Sequence, residues 1–523
     1  MRLFLLIVLV AAAADARKFY ADDPLPREPK PRDAGAPKSR KLSDVYDLFS
    51  HQFSDLGERQ PGKKSGKTPI RAQGINTVED PLQGSWWERR HYYRRMSLEE
   101  LKRGPGDARA PSRRGKWTIV GAKAEGVTPG FQMIDAEKRR YFVKFDPLGN
   151  PEIATAADQI SSKMFYALGY HVPENYLIHF TVDQLELGAD VELTDAKGIA
   201  RKMTDRDLYE ILLKVPQAKD GRYRGTASLA LPGKPIGPPR YYGTRADDPN
   251  DVVAHEHRRD QRGLRLMCAW LAHEDSRAIN NIDVLATRDG VKYIQHFLLD
   301  FGSTLGSAST KANSPRSGMQ FFDWADSAKN FFSLGLHVPY LDFAKYPKNL
   351  PSVGRFEAKV FDPERWVPEY PNPAFRNALP DDDFWAAKQI VSLRDDDIRA
   401  IVETGQYSDP RATDWVTKCL IERRDRIGKV FFAKVLPLDR FRVSAGALEW
   451  DDVSGSKEPV SVQWHAFDNE TEKRTAITGA ASAKVPDASG FLCAELSRAA
   501  RPAHKVLVYL RPNAQVVGVE REW

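Results

Sequence analysis

Three polar residues, Asp275, Asn280 and Asp300, carry the most chemistry in this sequence. They stand in His273-Glu274-Asp275-Ser276-Arg277-Ala278-Ile279-Asn280-Asn281 and in Leu298-Leu299-Asp300-Phe301-Gly302. An acid that orients or deprotonates a hydroxyl, followed by an amide and a second acid able to hold Mg²⁺ against a triphosphate, meets the needs of phosphoryl transfer. That reaction asks a protein mainly for positioning and for stabilisation of charge. Each short string alone recurs by chance in long chains. Their order, and the strands expected between them, give the combination its weight.

Those strands explain how the residues meet. Ile282 and Val284 alternate as a short strand, Asp289-Gly290 is a tight-turn pair, and Val291-Lys292-Tyr293-Ile294 begins a return strand. A hairpin there brings the residues before its first strand beside those after its second, so Asn280 and Asp300 can share one divalent cation. Asn281 is an alternative ligand, and the five-residue offset from Asp275 favours Asn280. An ordinary surface hairpin with capping Asp and Asn is the plainer reading of the same residues.

Upstream, residues 117–120, 131–134 and 140–145 read as three strands, with a glycine-containing turn that includes Gly126 and Gly130. Two glycines in such a turn need no ligand to explain them. Lys144 alternates with apolar neighbours on the third strand, so its ammonium points to one face; a solvent-facing edge lysine is the bland alternative. A helix follows, with Asn150 expected as N-cap, Pro151 at the first helical position and Glu152 in the first turn. Ile153, Ala157, Ile160 and Met164 form its apolar stripe, and Gly169 ends it. Glu152 is accounted for as a first-turn acid; Asp158, in mid-helix, is not.

Composition bounds the rest. A chain of 523 residues with 41% hydrophobic residues, 11 Trp and 25 Phe is globular and long enough for one large core and a smaller one. Met1-Arg2, an apolar run from Leu3 to Val10 and Ala14-Asp15-Ala16 read as a secretory signal peptide over 1–16, and no other run is long enough to span a bilayer. A secreted or periplasmic location follows, without a transmembrane segment in the mature chain. Three cysteines, Cys268, Cys419 and Cys493, make no disulfide framework and allow at most one bridge. The net charge of +7 is modest. Arginine pairs interleaved with Trp86, Trp87, Tyr92 and Tyr93 are read as a solvated basic surface, and no nucleic-acid partner is expected. His255 and His257 lack zinc-motif spacing, and no nucleophile elbow is present.

Residues 17–74 are Pro- and charge-rich and are expected as an extended or disordered leader, with a short amphipathic helix near 45–53. Residues 75–115 are expected to strap onto the following domain. A helix over 207–214 lies in an insertion, a strand over 226–231 and a proline-rich link come next, and a helix over 252–272 delivers His273 and Asp275. Helices are expected over 381–392, 395–404 and 414–436. From 441 to 523, short alternating strands predict a small β-sandwich-like domain.

Lys144, Asp275 with Asn280, and Asp300 together resemble the atypical protein-kinase-like superfamily that includes HipA toxin kinases, spore-coat CotH kinases and Golgi secretory-pathway kinases. The resemblance covers roughly residues 116–436, within a kinase-like domain expected over 116–440. It implies an α+β, two-lobed fold with a β-rich N-lobe and a helical C-lobe, followed by the β-sandwich-like domain. In that family a glycine turn covers nucleotide phosphates, which implies this role for Gly126 and Gly130. A strand lysine, here Lys144, pairs with the α and β phosphates. A helical carboxylate holds that lysine; Gly169-Tyr170-His171-Val172-Pro173 matches the stretch that follows it, and the corresponding position is Asp158 where the family has Glu. Asp275 is then the base, and Asn280 and Asp300 the ligands of Mg²⁺ or Mn²⁺. The implied function is an exported phosphotransferase using MgATP on an unknown protein or small-molecule hydroxyl. Two alternatives keep the same fold: a pseudokinase or binding module with an envelope or extracellular protein partner, and a nucleotidyl transferase.

Overall fold

Alternation of apolar residues along the strands builds the first sheet. The computed structural model describes residues 17–107, 109–122, 129–194, 200–315 and 317–523. The expected signal peptide and Gly126 lie outside the described residues. The chain divides into two units. One comprises Arg27–Gly74 and Pro81–Phe431; the other comprises the described part of Met1–Pro26, Ile75–Asp80 and Phe432–Trp523.

The larger unit begins with helices α1 (Asp44–Phe53) and α2 (Leu98–Arg103), then strands β1 (Trp117–Ala122), β2 (Gly130–Ile134) and β3 (Arg140–Phe145). After helix α3 (Ile153–Ala167) come β4 (Asn175–Phe180), β5 (Leu185–Leu187), β6 (Glu192–Thr194), β7 (Ala200–Lys202), helix α4 (Asp205–Leu212) and β8 (Tyr223–Leu229). Six of these strands form a sheet in the order β4-β8-β3-β2-β1-β5, antiparallel except for the β1–β5 pair. Tyr141, Val143 and Phe145 of β3 enter a core with Phe131, Met133, Phe180 and Ala227, while Phe142 and Lys144 point to the other face. The period-two pattern therefore decides where the Lys144 ammonium goes.

Helix α3 is held at both ends, though not by the cap that local sequence predicts. Glu152 sits in a left-handed conformation (φ 70°) without a side-chain cap bond, and the helix starts one residue later. The cap comes from Asp146, just past the end of β3. Its carboxylate accepts from the N–H groups of Ala154 (2.8 Å) and Thr155 (2.9 Å) and from the Thr155 hydroxyl (2.7 Å). Two otherwise unpaired helix donors are satisfied, and a negative charge lies at the positive end of the macrodipole. At the other end, Trp87 Nε1 donates to the Leu168 carbonyl at 2.8 Å, and Arg90 Nη1 donates to Tyr166 and Tyr170 carbonyls at 2.7 and 2.6 Å. Gly169 (φ 105°) has no alternative there, because a Cβ would lie 2.1 Å from Trp87 Nε1.

Strand β9 (Lys234–Pro235) pairs with β10 (Asn281–Arg288), and β10 pairs with β11 (Val291–Leu298). Between them in sequence lies helix α5 (Arg259–Leu271), shorter than expected because 255–257 form a 3₁₀ turn. His255 is spent there, its Nε2 on the Asp251 carboxylate at 2.8 Å. The remaining helices are α6 (Trp324–Phe332), α7 (Pro373–Arg376), α8 (Pro380–Val391), α9 (Asp395–Glu403) and α10 (Pro410–Phe432). α5 packs on α8 at Gly263, where a Cβ would come within 2.5 Å of the Trp385 ring. Buried Arg259 and Arg262 of α5 meet Asp382 of α8 at 3.1 and 3.3 Å.

Residues 27–74 differ from the expected leader. Their backbone is bonded to distant segments: Ala34 N–H to Lys292 O (2.9 Å), Arg40 N–H to Ile236 O (2.8 Å) and Gln73 N–H to His257 O (2.7 Å). Ala34 is buried with Ile236 and Ile294. A proline-rich stretch that cannot build its own ladder is here satisfied by carbonyls of distant segments.

In the smaller unit, β12 (Leu438–Ser444) and β13 (Ala447–Asp452) form a hairpin. β14 (Ser461–Phe467), β15 (Arg474–Ala476), β16 (Phe491–Ser497), β17 (Lys505–Leu510) and β18 (Val516–Glu522) form an antiparallel sheet in the order β15-β14-β16-β17-β18. One face, with Trp464, Leu492, Ala494, Leu496, Val506 and Val508, packs on Leu438 and Leu448 of the hairpin. The other face buries Phe19 against Phe467, Cys493 and Tyr509. A five-stranded sheet, a two-stranded sheet packed on one face of it and a coil segment on the other thus make up this part, where a β-sandwich-like domain was expected. Cys268, Cys419 and Cys493 are free and buried, and no helix among the described residues is long and apolar enough to cross a membrane.

Replacing Asp146 by Ala removes the α3 cap and is expected to lower stability by about 1–3 kcal/mol. Urea unfolding of the two proteins measures it; an unchanged midpoint would show the cap to be idle.

Candidate active site

The β10–β11 hairpin sets the geometry. Its turn residues Asp289 (φ 52°) and Gly290 (φ 79°) both have positive φ, as a two-residue turn matched to strand twist requires. The register runs from Arg288 opposite Val291 to Asn281 opposite Leu298. Residues flanking the open end are therefore adjacent, and the Leu299 N–H donates to the Asn280 carbonyl at 3.0 Å. Asp300 follows in a left-handed conformation (φ 57°, ψ 57°), turning the chain into a short 3₁₀ segment, Phe301–Ser303. Such a non-glycine conformation costs about 1 kcal/mol or more, and packing holds it. Phe301 stacks on Phe165 of α3 with centroids 5.2 Å apart, and the Ser161 and Thr304 hydroxyls bond at 2.6 Å. His273 lies 6.0 Å from both rings; burial pulls its pKa down to about 4, so it is neutral at pH 7.

Lys144 reaches this turn from β3. Its ammonium donates to Asp300 Oδ1 at 2.6 Å, joining residues 156 positions apart. Burial opposes the charge on Lys144, but the carboxylates of Asp300 and Asp158 outweigh it and hold the pKa above the ordinary lysine value. Asp158 is itself buried on α3. The side chains of Lys144 and Asp300 are 23% and 39% exposed, so the pair sits at a solvent-reachable edge. An ion pair of that exposure adds about 0–1 kcal/mol to stability. Its main consequence is to fix where an ammonium and a carboxylate stand.

Asp275 lies in the loop leaving α5. Burial raises the pKa of its carboxyl; Arg277, in direct ionic contact with it, pulls it back down, while the charge of Asp300 pushes it up. The Asn280 side-chain amide donates to the Asp275 carbonyl at 2.7 Å, which leaves its amide oxygen as the atom able to bind a cation. Asn281 is spent elsewhere: it is buried and its amide donates to the Tyr241 hydroxyl and, at 2.8 Å, to the Arg277 carbonyl. Arg277 stacks on Tyr370 at 4.9 Å. Sequence reasoning did not single out Arg277, although a cation two positions after the candidate base was a visible signal.

Glu274 was missed as well. It is buried beside Asp275, with Oε2 accepting the Gly318 N–H at 3.0 Å and the Glu274 carbonyl accepting the Glu369 N–H at 3.0 Å. Burial raises its pKa to about 8, helped by the nearby charges of Glu369 and Asp275. At neutral pH it is largely a neutral acid, which spares Asp275 a second adjacent negative charge.

The donors fit a hard divalent cation. Asp300 supplies a carboxylate and Asn280 an amide oxygen, and Mg²⁺ commonly takes one or two protein oxygens with the rest from phosphates and water. The repulsion between Asp275 and Asp300 is what a cation relieves. Among the described residues, no group of three or more His, Cys, Asp or Glu is arranged to hold a metal alone. Gly130 is not in a turn: it is buried on β2 directly opposite Lys144, and residues 123–128 lie outside the described part.

No family model matches the chain, and no curated protein matches it. Two solved structures show a loose likeness. One, the crystal structure of the Golgi casein kinase with Mn/ADP bound, is 10% identical, covering 64% of this chain and 76% of its own, with a TM-score of 0.24. The other, the crystal structure of the Golgi casein kinase, is 11% identical, covering 79% and 96%, with a TM-score of 0.23. Superpositions this loose carry no weight for fold or site, which stand on the geometry above.

Because the folded pKa of Glu274 lies above its unfolded value, its contribution is fully present below about pH 4.5 and is lost as pH rises towards about 8. The native chain is therefore expected to lose a few kcal/mol between pH 5 and 8 through this group. Glu274→Gln should flatten that slope in urea titrations at both pH values. A slope unchanged by the substitution would show that Glu274 ionises normally.

Proposed function

We propose that the chain is an exported kinase-like phosphotransferase of two-lobed fold, using MgATP to phosphorylate a hydroxyl on a protein or small molecule. The contact that carries this reading is Lys144 Nζ to Asp300 Oδ1 at 2.6 Å. It gathers a strand lysine, a turn carboxylate and, through the charge of Asp158, the helix between them.

In this reading Lys144 exchanges Asp300 for the α and β phosphates when nucleotide arrives, and Asp158 keeps the ammonium charged and in place. Asp300 and the Asn280 amide oxygen would hold the cation. Mg²⁺, when bound, neutralises charge on the phosphates. Asp275 accepts the proton of the acceptor hydroxyl, and its raised pKa makes it a stronger base than an ordinary aspartate. Arg277 positions Asp275 by direct ionic contact. His273 and Glu274, both neutral at pH 7, add no charge that would compete with these groups.

Thermal unfolding with ATP and Mg²⁺ or Mn²⁺ tests the binding half of the reading. Saturation at 100 times Kd is worth about 2.7 kcal/mol, a shift of a few degrees. Asp300→Ala should abolish the shift and Asp275→Ala should keep it. Asp275→Ala should also lower γ-phosphate transfer by about 10² to 10⁴-fold. A shift with no labelled product from either γ- or α-labelled ATP would make the chain a nucleotide-binding module. Label carried over from the α position would make it a nucleotidyl transferase. No shift at millimolar nucleotide would sink the proposal.

A further inference from the structure

Residues 91–104, which lead into and form α2, pack on α3 and α9, with Met96 and Leu101 buried. Two buried basic side chains, one at each end of this strap, stand where a proton would work against its closure.

At the first end, the Met96 N–H donates to His91 Nδ1 at 3.3 Å. An N–H can only donate, so Nδ1 carries no proton. The ring proton is then on Nε2, which donates to the Ser392 carbonyl at 3.3 Å. A second proton has to go to Nδ1, where it faces the Met96 N–H and ends that bond. The residue it fixes immediately precedes Ser97, the N-cap of α2, which shares a capping box with Glu100. The charged groups around the ring are Arg95 on the strap and, at the start of α9, Arg394 and Asp397, whose Oδ2 lies 3.5 Å from Nε2. Asp397 already accepts from Arg95 Nη2 at 2.9 Å and from the Arg394 N–H at 2.8 Å. Burial opposes the imidazolium most, and Arg95 and Arg394 add to it. Together they hold the His91 pKa below the ordinary histidine value, against the pull of Asp397 and the Ser392 carbonyl.

At the other end, Gly104 closes over Lys163 of α3, so near that a Cβ on it would lie 2.8 Å from Lys163 Cγ. Lys163 is buried, and its Nζ donates to Gln159 Oε1 at 3.0 Å. Among the described residues no charged group on the elements packed against α3 offsets its burial, which pulls the pKa down to about 7. Lys144, on the opposite side of the same helix, has two acids to keep its charge; Lys163 has an amide oxygen.

We infer that residues 91–104 are an acid-released strap: proton uptake by Lys163 and His91 lifts it from α3 and α9, while α3 stays fastened by Trp87 and Arg90. The inference is independent of the nucleotide site. Its sign follows from the two bases, each of which takes a proton more readily with the strap open than closed. Closure is therefore lost as pH falls, through Lys163 mainly down to about pH 7 and through His91 from its ordinary value of about 6.5 downwards.

Hydrogen exchange of the full chain, corrected for intrinsic rates, tests it. With Lys163 at its ordinary value in the open strap, the opening constant should rise about tenfold between pH 8 and pH 6. Amides of residues 96–104 should lose protection by that factor, and those of α3 should keep theirs. Lys163→Met should remove most of the change above pH 7. His91→Gln, which can still accept the Met96 N–H without titrating, should remove the change below pH 6.5. Equal protection of 96–104 at both pH values overturns the inference. So does a parallel loss in α3, which would be global unfolding, or a pH dependence that survives both substitutions. Thermal midpoints at pH 8 check that each variant folds; if one does not, the other decides its own half of the pH range.

Discussion

The ammonium of Lys144 and the carboxylate of Asp300 stand 2.6 Å apart although 156 positions separate them, and three independent pieces of the fold must agree for this to happen. β3 must present its polar face, the β10–β11 register must return the chain beside Asn280, and the Phe301–Ser303 turn must rest on α3. A slip of one residue in β3 would turn Lys144 into the core and Val143 or Phe145 out of it. The pair adds little to stability at its exposure. Its value is positional: it fixes an ammonium from β3 and a carboxylate from the turn after β11 side by side.

Burial sorts the ionisable groups around this pair into charged and uncharged sets. His273 and Glu274 are enclosed enough to be neutral at pH 7, while Lys144 is kept charged by two acids. Asp275 is intermediate, raised by burial and by Asp300 but restrained by Arg277. The charges that remain belong to the residues given roles in the proposed reading, and this separation follows from which side chains the loop after α5 turns inward.

Legibility in the sequence tracked the range of the interaction responsible. The hairpin was readable because alternation and Asp289-Gly290 are local signals, and the β3 face because Lys144 interrupts an apolar period. Asp158 stood out locally only as a mid-helix acid that capping does not explain, and its role came from the family resemblance. The α3 cap was not readable: Asp146 reaches across a loop to Ala154 and Thr155, and nearer candidates at Asn150 and Glu152 looked adequate. Glu274 was silent for a similar reason, since Gly318 and Glu369 meet it only in the fold. Residues 27–74 read as part of an extended or disordered leader because composition registers the lack of a local ladder and cannot register acceptors such as Ile236 O and His257 O far along the chain.

The two-ended fastening of α3 constrains how such a protein can be switched. A regulator that worked by swinging this helix would have to break the Asp146 contacts at one end. At the other it would have to tear Trp87 and Arg90 from three carbonyls. The Asp146 and Trp87 bonds are buried and the Arg90 bonds half-buried, so the helix behaves as a fixed strut and not as a lever. Around Glu274 the fastening is of another kind: the Gly318 N–H and the Glu369 N–H each reach it through one hydrogen bond from a segment distant in sequence, so a shift of either segment changes the surroundings of the acid without moving α3.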